Sequence, residues 1–122
     1  MTLMESALPI PVIGTGRRRF GRIARLRPGA EDEYKRLHGT VWPEVLGAIA
    51  QAGIRNYTIY FHEGWVFSHF ELVPGTTLED AYAAMRRSSA CELWEEKMRC
   101  LRDPAFAVDW RPMEEIFHQE IP

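Results

Sequence analysis

Apolar side chains recur along this chain with two different periods, and the switches between them outline its elements. Arg18 to Arg27 reads as a first strand, closed by the turn signal Pro28-Gly29. From Ala30 onward, Tyr34, Leu37, His38, Val41, Trp42, Val45, Leu46 and Ile49 recur at steps of three and four. That spacing places them on one face of an α-helix that Gly53 ends. Pro43 interrupts the pattern, because it has no N–H to donate and its ring crowds the carbonyl of Gly39. A break between Gly39 and Pro43 follows, with Pro43 in the first turn of a second half.

The period then drops to two. Ile54 to Phe61 reads as a strand with Ile54, Asn56, Thr58 and Tyr60 on one side and Arg55, Tyr57, Ile59 and Phe61 on the other. His62-Glu63-Gly64 is a hairpin connection, with Gly64 suited to the left-handed position, and Trp65 to Leu72 is the partner strand. After Pro74-Gly75, Thr77 to Arg87 and Ser89 to Leu101 return to helical spacing. Ser89 is the expected N-cap, with Glu92 three residues on completing a capping box. Asp103 to Pro112 reads as a loop and Met113 to His118 as a last short strand. The order βαββαβ predicts an α+β, ferredoxin-like fold, an antiparallel sheet with helices on one face. The bare sheet face of such a unit predicts a homodimer closed sheet to sheet into a dimeric α+β barrel.

Composition narrows the function classes. The chain has 122 residues, 46% hydrophobic and 26% charged, which is one globular domain by size. Residues 1–17 read as a loose N-terminal extension and 18–122 as the single domain. A net charge of −2 gives no basic field for a nucleic-acid backbone, and Arg17, Arg18 and Arg19 are too short a run to supply one. No apolar stretch reaches the ~18 residues of a membrane span. Cys91 and Cys100 point to nearly opposite sides of one expected helix, so they are expected as free thiols in a reducing cytoplasm. His62, His69 and Glu71 do not match a metal-ligand spacing, no glycine-rich phosphate loop precedes a helix, and no serine elbow is present. Neither a metal nor a cofactor is expected.

What remains is acid–base and aromatic chemistry. Tyr34 and His38 are one helical turn apart on one face, just before the expected break. A helix C-terminus favours a cation, which predicts a raised imidazole pKa and a role as general acid. The alternative is a core histidine packed beside Trp42, and periodicity by itself favours that. Tyr57, Trp65 and Trp94 are candidates to line one cleft, where flat rings stack on the C–H faces of a sugar and phenols bond its hydroxyls. Plain core packing is again the alternative for each.

The run Glu33-Tyr34-Lys35-Arg36-Leu37-His38 followed by Val41-Trp42-Pro43-Glu44 resembles the L-rhamnose mutarotase family, which carries E-Y-x-x-x-H-x-x-x-W-P-E in its first helix. Asn56-Tyr57-Thr58-Ile59-Tyr60 is similar to that family's N-Y-x-I-Y strand. Trp94 and Met98 fit its second helix, and Glu114 to His118 is similar to its closing strand. The resemblance spans roughly residues 19–118 and implies a cofactor-free isomerase that interconverts the α and β anomers of a 6-deoxyhexose, L-rhamnose or else L-fucose. It implies His38 as proton donor, Tyr34 and Tyr57 as sugar-binding tyrosines, and Trp94 as the first of two pocket tryptophans. The chain departs from the pattern where Glu95 stands for the second tryptophan. It departs again where Arg102 to Pro112 replaces an N-P-D-N-S-P segment, with Trp110 expected to restore an aromatic wall and Glu95 to accept sugar hydroxyls. A dimeric-barrel monooxygenase and a non-catalytic ligand-binding module are the other classes compatible with the fold.

Overall fold

A computed structural model describes residues 16–121. The elements run β1 (Arg18–Arg25), α1 (Glu31–His38), α2 (Pro43–Gln51), β2 (Ile54–His62), β3 (Trp65–Leu72), α3 (Leu78–Arg86), α4 (Ser89–Leu101) and β4 (Arg111–Met113). The strands form one antiparallel sheet in the order β2-β3-β1-β4, the ferredoxin-like order expected from the sequence. Most of the expected extension lies outside the described residues; of its last residues, Arg17 pairs with Glu71 at 3.2 Å.

The break in the first helix falls where Pro43 requires it. Gly39 caps α1, and Trp42 takes the extended backbone (φ −58°, ψ 133°) that a following proline imposes. Pro43 then opens α2 at the position where its missing N–H costs nothing. The second helical pair is divided at Ser88. Ser88, not Ser89, is the N-cap of α4, and its hydroxyl accepts the Cys91 amide at 3.2 Å. Counting from Ser88, the third helical residue is Cys91, so Glu92 sits one position too far along to complete the reciprocal box.

Alternate residues of the central strands decide where the core sits. Ala24, Val66, Phe70 and Leu72 are buried under the helices with Tyr34, Val45, Ala81, Trp94 and Met98. Between them, Ile23 opposite Phe67 and Gly21 opposite His69 lie on the other face, where none of the described helices packs.

Three local expectations are corrected by long-range pairing. The strict alternation of β2 fails, because its register against β3 shifts between Arg55 and Thr58. Asn56 absorbs the extra residue at φ 53°, a left-handed conformation that asparagine tolerates. The bulge puts Ile54 on the same side as Tyr57 and Ile59, facing the helices. The hairpin turn is the two residues Glu63 and Gly64, both at positive φ, with His62 still in its strand. The last strand is Arg111–Met113 rather than Met113–His118; it pairs only with Gly21–Ile23, with Pro112 opposite Arg22 on the sheet edge, where its lack of an N–H is tolerated. The following residues follow β1 through the Glu115 carboxylate, which forks onto Arg19 at 3.0 Å, but form no ladder. Ile116 and Phe117 stay exposed.

Candidate functional site

Between the helices and the sheet lies a cavity of about 1060 Å³, open at one side. Six of the seven residues singled out from the sequence, Tyr34, His38, Tyr57, Trp94, Glu95 and Trp110, line it. Trp65 does not. It alternates to the other sheet face, edge-on to Phe106 and under the Arg25 guanidinium.

One half of the cavity is aromatic and neutral. Tyr34 and His38 project one turn apart from the end of α1, their rings 4.3 Å centre to centre. The edge of Trp94 meets His38 at 5.3 Å, and Trp42 meets Trp94 in the same way. The Nδ1 of His38 lies 2.8 Å from the carbonyl oxygen of Tyr34. A carbonyl can only accept, so Nδ1 carries the proton, and Nε2 is left with a lone pair for a ligand. Burial lowers the imidazole pKa below its ordinary value; the Tyr34 carbonyl opposes this and the Arg102 charge adds to it. This reverses the direction expected from the helix end, because loss of water around the imidazolium outweighs the local dipole. The Tyr34 hydroxyl is buried without a hydrogen-bond partner, and burial raises its pKa. At neutral pH this half therefore presents a basic imidazole nitrogen beside a protonated phenol.

The other half is polar and cationic. The bulge in β2 turns Tyr57 inward, and its hydroxyl accepts from Arg22 Nη2 at 2.6 Å. Burial raises the Tyr57 pKa, with Arg22 opposing. Arg22 also donates from Nε to Ser68 Oγ at 3.0 Å and from Nη1 to the Tyr82 hydroxyl at 3.3 Å. Two guanidinium groups lie over the Trp110 ring, Arg22 at 4.8 Å and Arg102 at 5.1 Å from its centre. Trp110 lines the cavity. Arg102 is 1% exposed; its Nη1 binds Glu95 Oε1 at 2.6 Å and the Val108 carbonyl at 2.8 Å, which ties the end of α4 to the loop that carries Trp110. Glu95 thus reaches the cavity with one carboxylate oxygen already committed to a buried cation.

Arg22, Tyr82 and Arg102 were not among the residues expected from the sequence. The signal for Arg22 was present: it lies between Phe20 and Ala24 at the buried parity of β1, an arginine where an apolar residue is the rule.

A family model described as L-rhamnose mutarotase matches residues 19–119. An L-rhamnose mutarotase of Burkholderia ambifaria is 33% identical over 100 residues, 79% of this chain and 92% of its own length. That of Lactiplantibacillus plantarum is 30% identical over 106 residues, 82% of this chain and 96% of its own. The crystal structure of an L-rhamnose mutarotase from Formosa agariphila superposes with a TM-score of 0.67 at 20% identity, covering 84% of this chain and 99% of that one, a likeness of fold.

Proposed function

The chain belongs to the L-rhamnose mutarotase family, and from that premise we propose that it is an aldose 1-epimerase acting on a 6-deoxyhexose, L-rhamnose or L-fucose. The observation that carries the reading is the pairing of His38 with the Tyr34 carbonyl, which aims a titratable ring with a defined tautomer into a cavity walled by tyrosine and tryptophan.

The chemistry follows from what a hemiacetal needs. Opening removes the proton from the anomeric hydroxyl, breaks the bond between C1 and the ring oxygen, and places a proton on that oxygen. His38 rests neutral, so its Nε2 takes the anomeric proton. The ring oxygen receives its proton from a water or from the Tyr34 phenol, which burial keeps protonated beside His38. The aldehyde turns about C1–C2. Closure on the other face then reverses both transfers, with the imidazolium of His38 now the acid. One residue thus serves as base and as acid, and the donor role implied by the family resemblance is its second half. Trp94 and Trp110 offer flat faces to the sugar ring. A positioned acid–base group supplying ~10²–10⁴ is sufficient, since the uncatalysed reaction already proceeds in water.

The same reading takes the open sheet face as the contact between two copies. Tyr60 is 64% and Met113 40% exposed there, beside Ile23 and Phe67. No helix among the described residues is long and apolar enough to cross a membrane, and both thiols are free, which supports the reading of a cytoplasmic enzyme. Saturation-transfer NMR with L-rhamnose and L-fucose tests the activity directly. Anomer exchange faster than in buffer is expected for at least one sugar; exchange at the buffer rate for both, with binding retained, would make the protein a ligand-binding module.

A further inference from the structure

Arg22 is a cation on the wall of the cavity, and its hydrogen-bond partners among the described residues carry no charge. Its three hydrogen-bond partners, Ser68, Tyr57 and Tyr82, are all neutral hydroxyls, and among the described residues no carboxylate pairs with it. The other arginine at Trp110 is different, since Arg102 is neutralised by Glu95. Chemistry leaves Arg22 two further N–H donors, one on each terminal nitrogen. Its position does not depend on a ligand, because its guanidinium stacks on Trp110 at 4.8 Å, Phe70 at 5.0 Å and Tyr57 at 5.5 Å.

From this arrangement we infer that Arg22 is a specificity-determining residue that gives the sugar pocket a carboxylate subsite, and that the substrates include hexuronic acids. The inference rests on the mutarotase reading and deepens it. In a hexuronate a carboxylate takes the place that a methyl group holds in a 6-deoxyhexose. A methyl group set against this half-buried guanidinium leaves N–H groups without a ligand partner, whereas a carboxylate accepts from both and forms charge-assisted bonds. The charge count selects a carboxylate over a phosphate. Arg22 contributes a single uncompensated positive charge, and a dianionic phosphate would need a second cation that Arg102 cannot supply while Glu95 holds it. The subsite also adjoins the reacting groups. Arg22, Tyr34 and His38 line the same cavity, so a ligand anchored on Arg22 shares it with the reacting groups.

The test measures binding and anomer exchange separately by ligand-observed NMR. The probes are D-glucuronate, D-galacturonate, D-mannuronate and L-guluronate, with L-rhamnose beside them. Wild-type protein is expected to bind at least one acid and to speed its anomer exchange above the buffer rate. For that acid, Arg22→Gln should raise KM by about tenfold or more relative to any change for L-rhamnose, the loss expected when a charged hydrogen-bond donor becomes neutral. The methyl ester of the same acid, tested on wild-type protein, removes the charge from the ligand side and should bind weaker by a similar factor, a readout that does not depend on the variant folding. Binding of no acid by the wild-type protein, equal affinity for acid and ester, or an equal rise in both KM values with Arg22→Gln would each overturn the subsite. The two readings fail differently: acid binding without any exchange keeps the subsite and removes the mutarotase, while exchange of L-rhamnose without acid binding does the reverse.

Discussion

The two halves of the cavity are built in opposite ways. Tyr34, His38 and Trp94 come from helix faces, each placed by spacing within its own element, and the half they form carries no charge at neutral pH. Arg22, Tyr57, Tyr82 and Trp110 come from a strand, a bulge, a second helical pair and a loop, and they meet only because the sheet is registered as it is. The first half holds the group that moves a proton. The second holds cations and hydroxyls that no proton transfer requires. The difference separates reaction from selection: changes in the first half should alter rate for every sugar, and changes in the second should alter which sugar is preferred.

The sharpest way to break this division is His38→Asn. The amide keeps a polar group of similar reach but has no basic nitrogen. Anomer exchange should fall by roughly 10²-fold or more for all sugars alike, with the fold intact by circular dichroism. The pH profile sharpens the same claim. Burial lowers the His38 pKa, so the unprotonated ring persists to a more acidic pH than the ordinary histidine value near 6.5. Exchange carried by the basic form should therefore hold steady through neutrality, then fall about tenfold per pH unit once below the lowered pKa. A rate that rises as the pH falls through that region would make His38 the initiating acid.

Legibility in the sequence followed the same division. The helical spacing of Tyr34 and His38 and the stop at Pro43 are local, and both hold in the structure. The four strands and their order were legible because alternation and turn residues are local as well. What could not be read is what pairing decides. That Ile54 shares a side with Tyr57 depends on one extra residue at Asn56, where strict alternation had set the two on opposite sides. The closing strand ends at Met113 because only Arg111 to Met113 pair with β1, and the apolar residues beyond have no described face to pack on. The direction of the His38 pKa was misjudged for a related reason: a helix end is visible in sequence, but the depth at which it is buried is not.

A middle-sized effect is expected at Trp110. Two guanidinium groups lie over its indole, so Trp110→Ala removes two cation–π contacts and the flat surface together. Exchange of L-rhamnose and L-fucose should slow by about five- to thirtyfold through KM, the scale of one or two contacts worth ~1 kcal/mol each. Because the wall belongs to the selecting half, the ratio between the two sugars should move as well. A loss confined to kcat with an unchanged ratio would merge the two halves into one.

The smallest effect tests whether the division is a property of the pocket or of overall stability. Ser88 caps α4 from outside the cavity, and its hydroxyl is the side-chain acceptor for the first turn of the helix that carries Trp94, Glu95 and Arg102. Ser88→Ala leaves the Cys91 amide without that acceptor and should lower unfolding stability by ~1 kcal/mol, the usual cost of losing such a cap. For a domain of this size, that corresponds to a drop in Tm of roughly 3–5 °C, read by thermal denaturation. The same helix supplies residues to both halves of the cavity, so loosening its first turn perturbs both equally or not at all. At a temperature well below the transition, the rates on L-rhamnose and L-fucose and their ratio should match those of the wild-type protein. A changed ratio in Ser88→Ala would show that sugar preference is set by how firmly α4 is seated, and Arg22 and Trp110 would then be positioned by that helix rather than selecting the sugar themselves.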